Sequence, residues 1–243
     1  MNVNTITIIP LGAYEQHGPH LPFDTDALIA DGVVARTVAK ADGLDLNILL
    51  TEQVGYSPEH MRFKGSKTLT WQEAISRWID LAEGEIARNC RRIIFMNAHG
   101  GNVPLVQIVC QELRARHPVL AVATKWDRFI RGSGIVSVQE EALGIHGGEI
   151  ETSVMLALYP DRVNMERAQD FPNLQSRLTG PHLRAYGPHA FGWMMGDLNP
   201  DGVAGNAASA TAETGERLLN AASDGLLALL HEVAAFNLTL LKD

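Results

Sequence analysis

The chain has 243 residues, of which 46% are hydrophobic and 20% are charged, a composition typical of soluble globular proteins. We expect one domain over residues 1–243, with its two cysteines as buried thiols rather than a disulfide. The net charge of −8 and the short basic groups argue against nucleic-acid binding, which requires a basic surface. The sequence lacks a long apolar run and begins without a signal-peptide pattern, so we expect a cytoplasmic protein that does not contact membranes.

Apolar periodicity predicts strands and helices that alternate along the chain. The helix that begins at Thr70 has a capping box with Glu73, in which each side chain satisfies a free backbone amide. The alternation predicts an α/β fold with three layers, α/β/α, around a mainly parallel sheet. In chain order, the predicted elements are a strand at 5–9, a helix at 25–41, a strand at 47–51, a helix at 70–89, a strand at 92–96, a helix at 103–116, a strand at 119–124, and helices at 148–158 and 210–237.

Residues 161–205 do not fit this alternation. They are rich in Pro, Gly, Arg, Trp and Met and have weak periodicity. Long irregular segments in compact domains are usually functional. We therefore expect this region to form part of a substrate pocket or a subunit interface.

Five potential metal ligands lie in the loop after the first predicted strand, at Glu15, His17, His20, Asp24 and Asp26. A mixture of carboxylates and imidazoles suits Zn, Mn or Fe. In extended backbone Glu15 and His17 point to the same side, and Asp26 begins the next helix, where its two oxygens could bridge two ions. We predict these three residues as ligands. We expect Asp24 to cap the helix and His20 to support the loop.

His99 follows the strand at 92–96 in the sequence HGGN, immediately before a helix. Ligands in open α/β sheets bind at the carboxyl ends of strands, so His99 is a fourth predicted metal ligand. The backbone amides of Gly100 and Gly101 are suited to stabilising an oxyanion. A tight turn with a capping asparagine is the alternative explanation for this motif.

A third cluster, HGGEIETS, begins at His146 and continues into a helix. Glu149 and Glu151 lie about 200° apart around that helix, so only one of them can face the site. We predict Glu149. A carboxylate in the first helical turn can also serve only to complement the helix dipole.

These motifs resemble the creatininase family. The resemblance rests on E-x-H-G-P-H-L-P-x-x-x-D at 15–26, H-G-G-N at 99–102 and H-G-G-E-x-E-T-S at 146–153, with further similar stretches at 59–66, 202–205 and 210–215. It implies a homo-oligomer, a hexamer in this family, with a dinuclear metal centre in each subunit. It also implies that Glu15 and His99 hold one ion, that His17 holds the other, that Asp26 bridges them and that His146 is a catalytic acid/base.

One position departs from the family pattern. Creatininase carries a ligating glutamate two residues after the histidine that matches His99, and this chain has Gly101 there. We predict that Glu149 supplies the missing carboxylate, as a ligand and as part of the catalytic machinery. The departure argues against creatinine as the substrate, and family members with the HGGN sequence include deformylase-like enzymes and the peptidase of mycofactocin maturation.

We therefore predict a metal-dependent amidohydrolase that cleaves a non-peptide amide, cyclic amides included, with water activated by two divalent ions. Glu59, His60, Gly100, Gly101 and Trp193 are predicted to contact the small-molecule substrate. Three alternatives stay open: a creatininase-like peptidase or deformylase, a metal-dependent isomerase or lyase that acts on a polyol or sugar, and a metal-binding protein without catalysis.

Overall fold

Four parallel strands form the central sheet of the computed structural model, which describes residues 2–242. They are β1 (Ile6–Leu11), β2 (Leu46–Ile48), β3 (Arg92–Asn97) and β4 (Leu120–Lys125), arranged in the order β2-β1-β3-β4. The register pairs Leu11 of β1 with Asn97 of β3, and Asn97 with Lys125 of β4. Three strands therefore end at one edge of the sheet, and the segments that follow them start side by side.

Helices cover both faces of this sheet, which confirms the predicted three-layer fold. Since side chains alternate along a strand, Ile8 and Ile94 pack on one face and Ile9 and Phe95 on the other. The first face is covered by α1 (Thr25–Val38), α5 (Glu149–Leu158) and α7 (Ala212–Ala235), and the second by α2 (Trp71–Ala87) and α3 (Val103–Arg116).

The predicted elements are present, with small differences in their bounds. Helix α3 has the predicted bounds, and Thr70 and Glu73 form the predicted capping box at the start of α2. Strand β2 is shorter than predicted, and α1 ends at Val38, three residues earlier than expected. The short helix α4 (Val138–Leu143) was not predicted from the sequence.

The irregular region contains short elements only: β5 (Asp170–Phe171), α6 (Met195–Leu198), β6 (Gly205–Asn206) and several 3-10 turns.

Both cysteines are free thiols, as expected, with Cys90 buried and Cys110 partly buried. Within residues 2–242, no helix combines the length and the apolar character needed to cross a membrane.

Candidate metal centre

The predicted ligands lie together at the carboxyl edge of the sheet. The segment after β1 leads to Glu15 and His17, and the backbone amide of Glu15 donates to the carbonyl of Phe23 at 2.9 Å. Asp26 lies in the first turn of α1, and His99 follows β3. Because β1 and β3 are adjacent and parallel, the connection from β1 to α1 and the connection from β3 to α3 meet above the same strand ends.

Glu15, Asp26 and His99 form a first set of potential metal ligands. The Nδ1 atom of His99 lies 3.1 Å from Oε1 of Glu15 and 3.2 Å from Oδ2 of Asp26. All three side chains are buried. One nitrogen and two carboxylate oxygens thus face a common point.

His17, His146 and Glu151 form a second set next to the first. The Nε2 atom of His17 lies 3.2 Å from Oδ1 of Asp26 and 3.9 Å from Oε2 of Glu151. The rings of His17 and His146 lie with centroids 4.1 Å apart and their planes tilted by 31°. In each set the potential ligand atoms lie within 4.8 Å of one another, and the two oxygens of Asp26 point to different sets.

His60 joins this arrangement from the loop before α2. Its Nε2 lies 3.5 Å from Oε1 of Glu15, and its ring centroid lies 4.4 Å from that of His146. Glu15, His60 and His146 make a third cluster with metal-ligand spacing. Glu15 therefore contacts imidazoles from three separate segments.

The ring nitrogens that face away from the centre are fixed by hydrogen bonds to neighbouring groups. Nδ1 of His17 contacts the carbonyl of Glu15 at 2.9 Å, and Nε2 of His146 contacts the carbonyl of Gln16 at 2.8 Å. Nε2 of His99 lies 3.0 Å from the carbonyl of Tyr56. Such contacts select the ring tautomer and hold the other nitrogen towards a metal.

The carboxylates and the imidazole of the first set each stabilise the charged form of the other. Burial opposes ionisation of Glu15, but the imidazoles of His99, His60 and His146 outweigh it and hold its pKa well below the usual range. Despite burial, Glu15 and Asp26 raise the pKa of His99 well above its usual value.

His17 behaves in the same way, since Asp26 overcomes the effect of burial and raises the pKa of His17 to about 9. These raised pKa values favour the protonated form of both His17 and His99 in a protein without metal. Metal ligands must be unprotonated, so cations that bound here would replace these protons.

The residues at this site fit a divalent metal. Both carboxylate oxygens of Glu15 and Oδ2 of Asp26 are buried without a hydrogen-bond partner among residues 2–242. Buried carboxylate oxygens normally accept hydrogen bonds, so these three atoms, two of which lie beside Nδ1 of His99 without a hydrogen bond to it, are suited to binding a cation. The mixed donor set of carboxylates and imidazoles is that preferred by Zn, Mn and Fe.

A family model for creatinine amidohydrolase, Creatininase, matches residues 1–230. The chain belongs to the creatininase family. Two curated relatives agree with this assignment. The chain is 33% identical to the mycofactocin precursor peptide peptidase of Mycobacterium tuberculosis, over 89% of this chain and 81% of the relative. It is 31% identical to the creatinine amidohydrolase of Pseudomonas putida, over 69% of each. As a creatininase-family enzyme, the chain is an amidohydrolase that acts on C–N bonds.

Solved creatininase-family structures share the fold. A putative creatinine amidohydrolase from Bacteroides fragilis superposes with a TM-score of 0.81 at 22% identity, and covers 98% of this chain and 92% of that chain. A mutant creatininase of Zn-Zn type superposes with a TM-score of 0.76 at 25% identity, over 94% of this chain and 90% of that chain. The similarity extends over the strand ends that carry the candidate site.

Within this creatininase fold, Glu151 rather than the predicted Glu149 lies with the other candidate ligands. Glu151 is the carboxylate that approaches His17, whereas Glu149 belongs to none of the three ligand clusters. The amide of Glu149 is bound to Glu140, and its side chain is partly exposed beside that residue. Burial raises the pKa of Glu151 to about 7, and His17 opposes this effect.

Two other residues of the first motif, one buried beside the site and one at the surface, join no ligand set. His20 is buried, and its Nε2 lies 3.0 Å from the carbonyl of Gly147 and 2.9 Å from Oγ1 of Thr152. It thereby connects the first and third motifs. Asp24 does not cap α1 with its side chain, and instead pairs with Arg162 at 2.8 Å.

The residues predicted to contact substrate all line one cavity of about 780 Å³, together with every member of the two ligand sets except His17. These residues are Glu59, His60, Gly100, Gly101 and Trp193. The indole nitrogen of Trp193 donates to the carbonyl of Ala185 at 2.6 Å, which fixes the ring in the wall. The irregular region thus contributes to the cavity, as expected.

The glycine that departs from the family pattern is tightly enclosed. A Cβ on Gly101 would collide with the carbonyl of Tyr56, and would lie 2.5 Å from Nε2 of His99 and 3.0 Å from Oε1 of Glu59. The loop that carries Glu59 therefore occupies the space that a side chain at this position would need. Sequence reasoning missed Tyr56 and its neighbour Ser57, whose Oγ lies 3.2 Å from Nε2 of His99, because neither belongs to a recognisable ligand pattern.

Proposed function

We propose that the chain is a metal-dependent amidohydrolase that holds two divalent ions, Zn, Mn or Fe, in each subunit. The observation that carries this proposal is the set of buried oxygens of Glu15 and Asp26 that have no hydrogen-bond partner within residues 2–242 and lie around Nδ1 of His99. Membership of the creatininase family supports it.

In this proposal Glu15, Asp26 and His99 hold one ion, and His17, Asp26 and Glu151 hold the other. The bridging role of Asp26 is supported by its two oxygens, which lie 3.2 Å from His17 Nε2 and 3.2 Å from His99 Nδ1 respectively. When bound, the ions lower the pKa of water and polarise the substrate carbonyl.

His146 is the proposed acid/base. Its Nε2–H donates to the carbonyl of Gln16 at 2.8 Å, which leaves Nδ1 unprotonated and 3.6 Å from Oε1 of Glu15. In this tautomer Nδ1 accepts the proton of the attacking water and returns it to the leaving nitrogen. The amides of Gly100 and Gly101, on the cavity wall, are the proposed donors to the oxyanion.

We propose a non-peptide amide as the substrate, cyclic amides included. A second candidate is a peptide. It is favoured by the 33% identity to the mycobacterial peptidase and by a cavity of about 780 Å³ that has room for more than one small ring. Deformylation of a formamide is a variant of the same chemistry, and the three substrate classes differ in the size of the group beyond the amide.

The proposal is tested by metal analysis of the purified protein and by assays of cyclic ureas, formamides and short peptides, with and without a chelator. We expect bound metal, and turnover of one substrate class that a chelator abolishes. Asp26→Asn should lose metal and at least about 100-fold in kcat/KM, since a lost ligand exceeds the 10–100-fold typical of outer partners. Asp24→Asn, at the nearby surface pair with Arg162, is the matched control. Turnover that survives chelation in a metal-free protein would contradict the proposal.

A further inference from the structure

Glu140 is a buried carboxylate outside both ligand sets. It lies in α4, and only 4% of the residue is exposed. No ion pair joins Glu140 to a cation among residues 2–242, so its charge is not offset as that of Glu15 is. Burial raises its pKa, and bound backbone amides oppose this effect. Burial of such a carboxylate costs free energy unless its hydrogen bonds compensate for the lost hydration.

The carboxylate binds backbone from two distant segments. Its Oε1 accepts the amide of Glu149 at 2.8 Å, and its Oε2 accepts the amide of Asn206 at 2.9 Å, while the amide of Ile150 contributes as well. Glu149 and Ile150 are the first two residues of α5, whose N-cap residue Gly148 has no side chain to bind them. Glu140 therefore caps α5 from another element, and its charge complements the positive end of the helix.

Three glycines make room for this carboxylate. A Cβ on Gly144 or Gly148 would collide with Oε1 of Glu140, and a Cβ on Gly205 would lie 2.6 Å from it. These glycines come from the end of α4, the start of α5 and β6. The backbone of three segments thus closes around one side chain, which holds them at fixed distances from one another.

The segments that Glu140 joins also carry functional groups. His146 precedes α5, and its backbone pairs with Ala204, whose amide donates to the carbonyl of His146 at 2.8 Å. Glu151 lies in the first turn of α5, and its Oε2 accepts the amide of Gly147 at 2.7 Å while it faces His17. The position of Glu151 therefore depends on how α5 begins.

We infer that Glu140 is a positioning residue for the ion held by His17 and Glu151, and that it fixes this half of the centre without contacting it. The inference rests on the proposed function. The other half depends on Glu15, Asp26 and His99, whose supporting contacts do not include Glu140. Loss of Glu140 should thus affect the two ions unequally, whereas a general loss of folding would affect both together.

The test is a calorimetric titration of the metal-free protein with Zn²⁺, in wild type, Glu140→Gln and the control Glu149→Gln. The glutamine keeps the shape of Glu140, but its side-chain NH₂ group cannot accept a hydrogen bond from a backbone N–H. We expect two sites in wild type and in the control. In Glu140→Gln we expect one site of unchanged affinity and one weakened by about 10- to 100-fold, the usual effect of an outer partner. We expect kcat to fall in parallel with occupancy of the weakened site.

Two unchanged sites in Glu140→Gln would overturn the inference and leave the proposed function intact, whereas a wild type that binds no Zn²⁺ would overturn both. Circular dichroism and the melting temperature report whether the variant is folded. If Glu140→Gln does not fold, Glu140→Asp decides, because it keeps the charge and shortens the reach by one methylene. A folded Glu140→Asp protein should again weaken one site only, and equal weakening of both sites would overturn the inference.

Discussion

Glu151 and Glu149 differ by two positions, and only Glu151 faces the candidate centre. Glu151→Gln should reduce bound metal from two ions to one and lower kcat/KM by at least about 100-fold, since it removes a charged ligand. Glu149→Gln removes the same charge from a partly exposed side chain and should leave metal content within error. Atomic emission analysis and steady-state kinetics check both variants, and equal metal content in the two would contradict the assignment.

The sequence indicates that only one of these two glutamates can face the site, but it does not indicate which one. Helical geometry states that the two side chains point in different directions, but the rotation of the helix depends on how it begins. The start of α5 is held by Glu140, whose carboxylate arrives from an element that sequence periodicity did not reveal. Glu15, His17 and His99, in contrast, lie in the loops after β1 and β3, and Asp26 begins the helix after the first of these loops, so the strand order brings them together.

Gly101 provides a second test at the residue scale. Gly101→Ala places a methyl group against Tyr56 and His99 Nε2, so the ring of His99 must move or the Tyr56 loop must shift. We expect metal affinity to fall by at least about 10-fold and stability by about 1–3 kcal/mol, the usual cost of overpacking. Gly100→Ala is the control for metal content and melting temperature, because nothing lies within 4 Å of its Cβ position. Equal metal affinity in both variants would show that the enclosure of Gly101 does not matter.

At the scale of elements, the sequence predicted most of the fold because local rules agree with the tertiary structure. The four inner residues of strand β3, 93–96, are apolar since both faces of the strand are covered, and α3 starts after HGGN and ends at Arg116, as periodicity indicated. Residues 161–205 resisted prediction for a physical reason. Their backbone is held by side chains from elsewhere, as when Nε2 of Gln16 donates to the carbonyl of Asp201 at 2.8 Å, rather than by a repeating pattern.

The capping box of α2 gives a prediction for one element. The hydroxyl of Thr70 accepts the amide of Glu73 at 3.2 Å, and the carboxylate of Glu73 accepts the amide of Thr70 at 2.8 Å. Thr70→Ala should lower the free energy of unfolding by about 1 kcal/mol, and Thr70→Ser should cost much less because the hydroxyl is kept. Urea unfolding measures both. Equal destabilisation by the two substitutions would show that the hydroxyl contributes little.

At the scale of the whole molecule, three motifs spread over residues 15–153 meet at the edge of the sheet where parallel strands end. This geometry and family membership support the candidate centre together. The homo-oligomeric state, a hexamer by resemblance, stays a prediction, as does a cytoplasmic location. Light scattering coupled to gel filtration measures the number of subunits.

Metal removal tests the molecule as a unit. Zn²⁺ or Mn²⁺ should bind the folded chain but not the unfolded chain. The proposed ligands lie in the loops after β1 and β3 and in the first turns of α1 and α5, which come together only when the chain folds. At a free metal concentration of about 100 times Kd, binding adds about 2.7 kcal/mol, which raises the melting temperature of a chain of this size by roughly 5–10 °C. Scanning fluorimetry should show the melting temperature falling by this amount when a chelator removes the metal, and rising again when metal is added. Asp26→Asn, which lacks the proposed bridging carboxylate, should show a much smaller change in melting temperature. A wild-type protein whose melting temperature does not change with chelator would argue against resident metal.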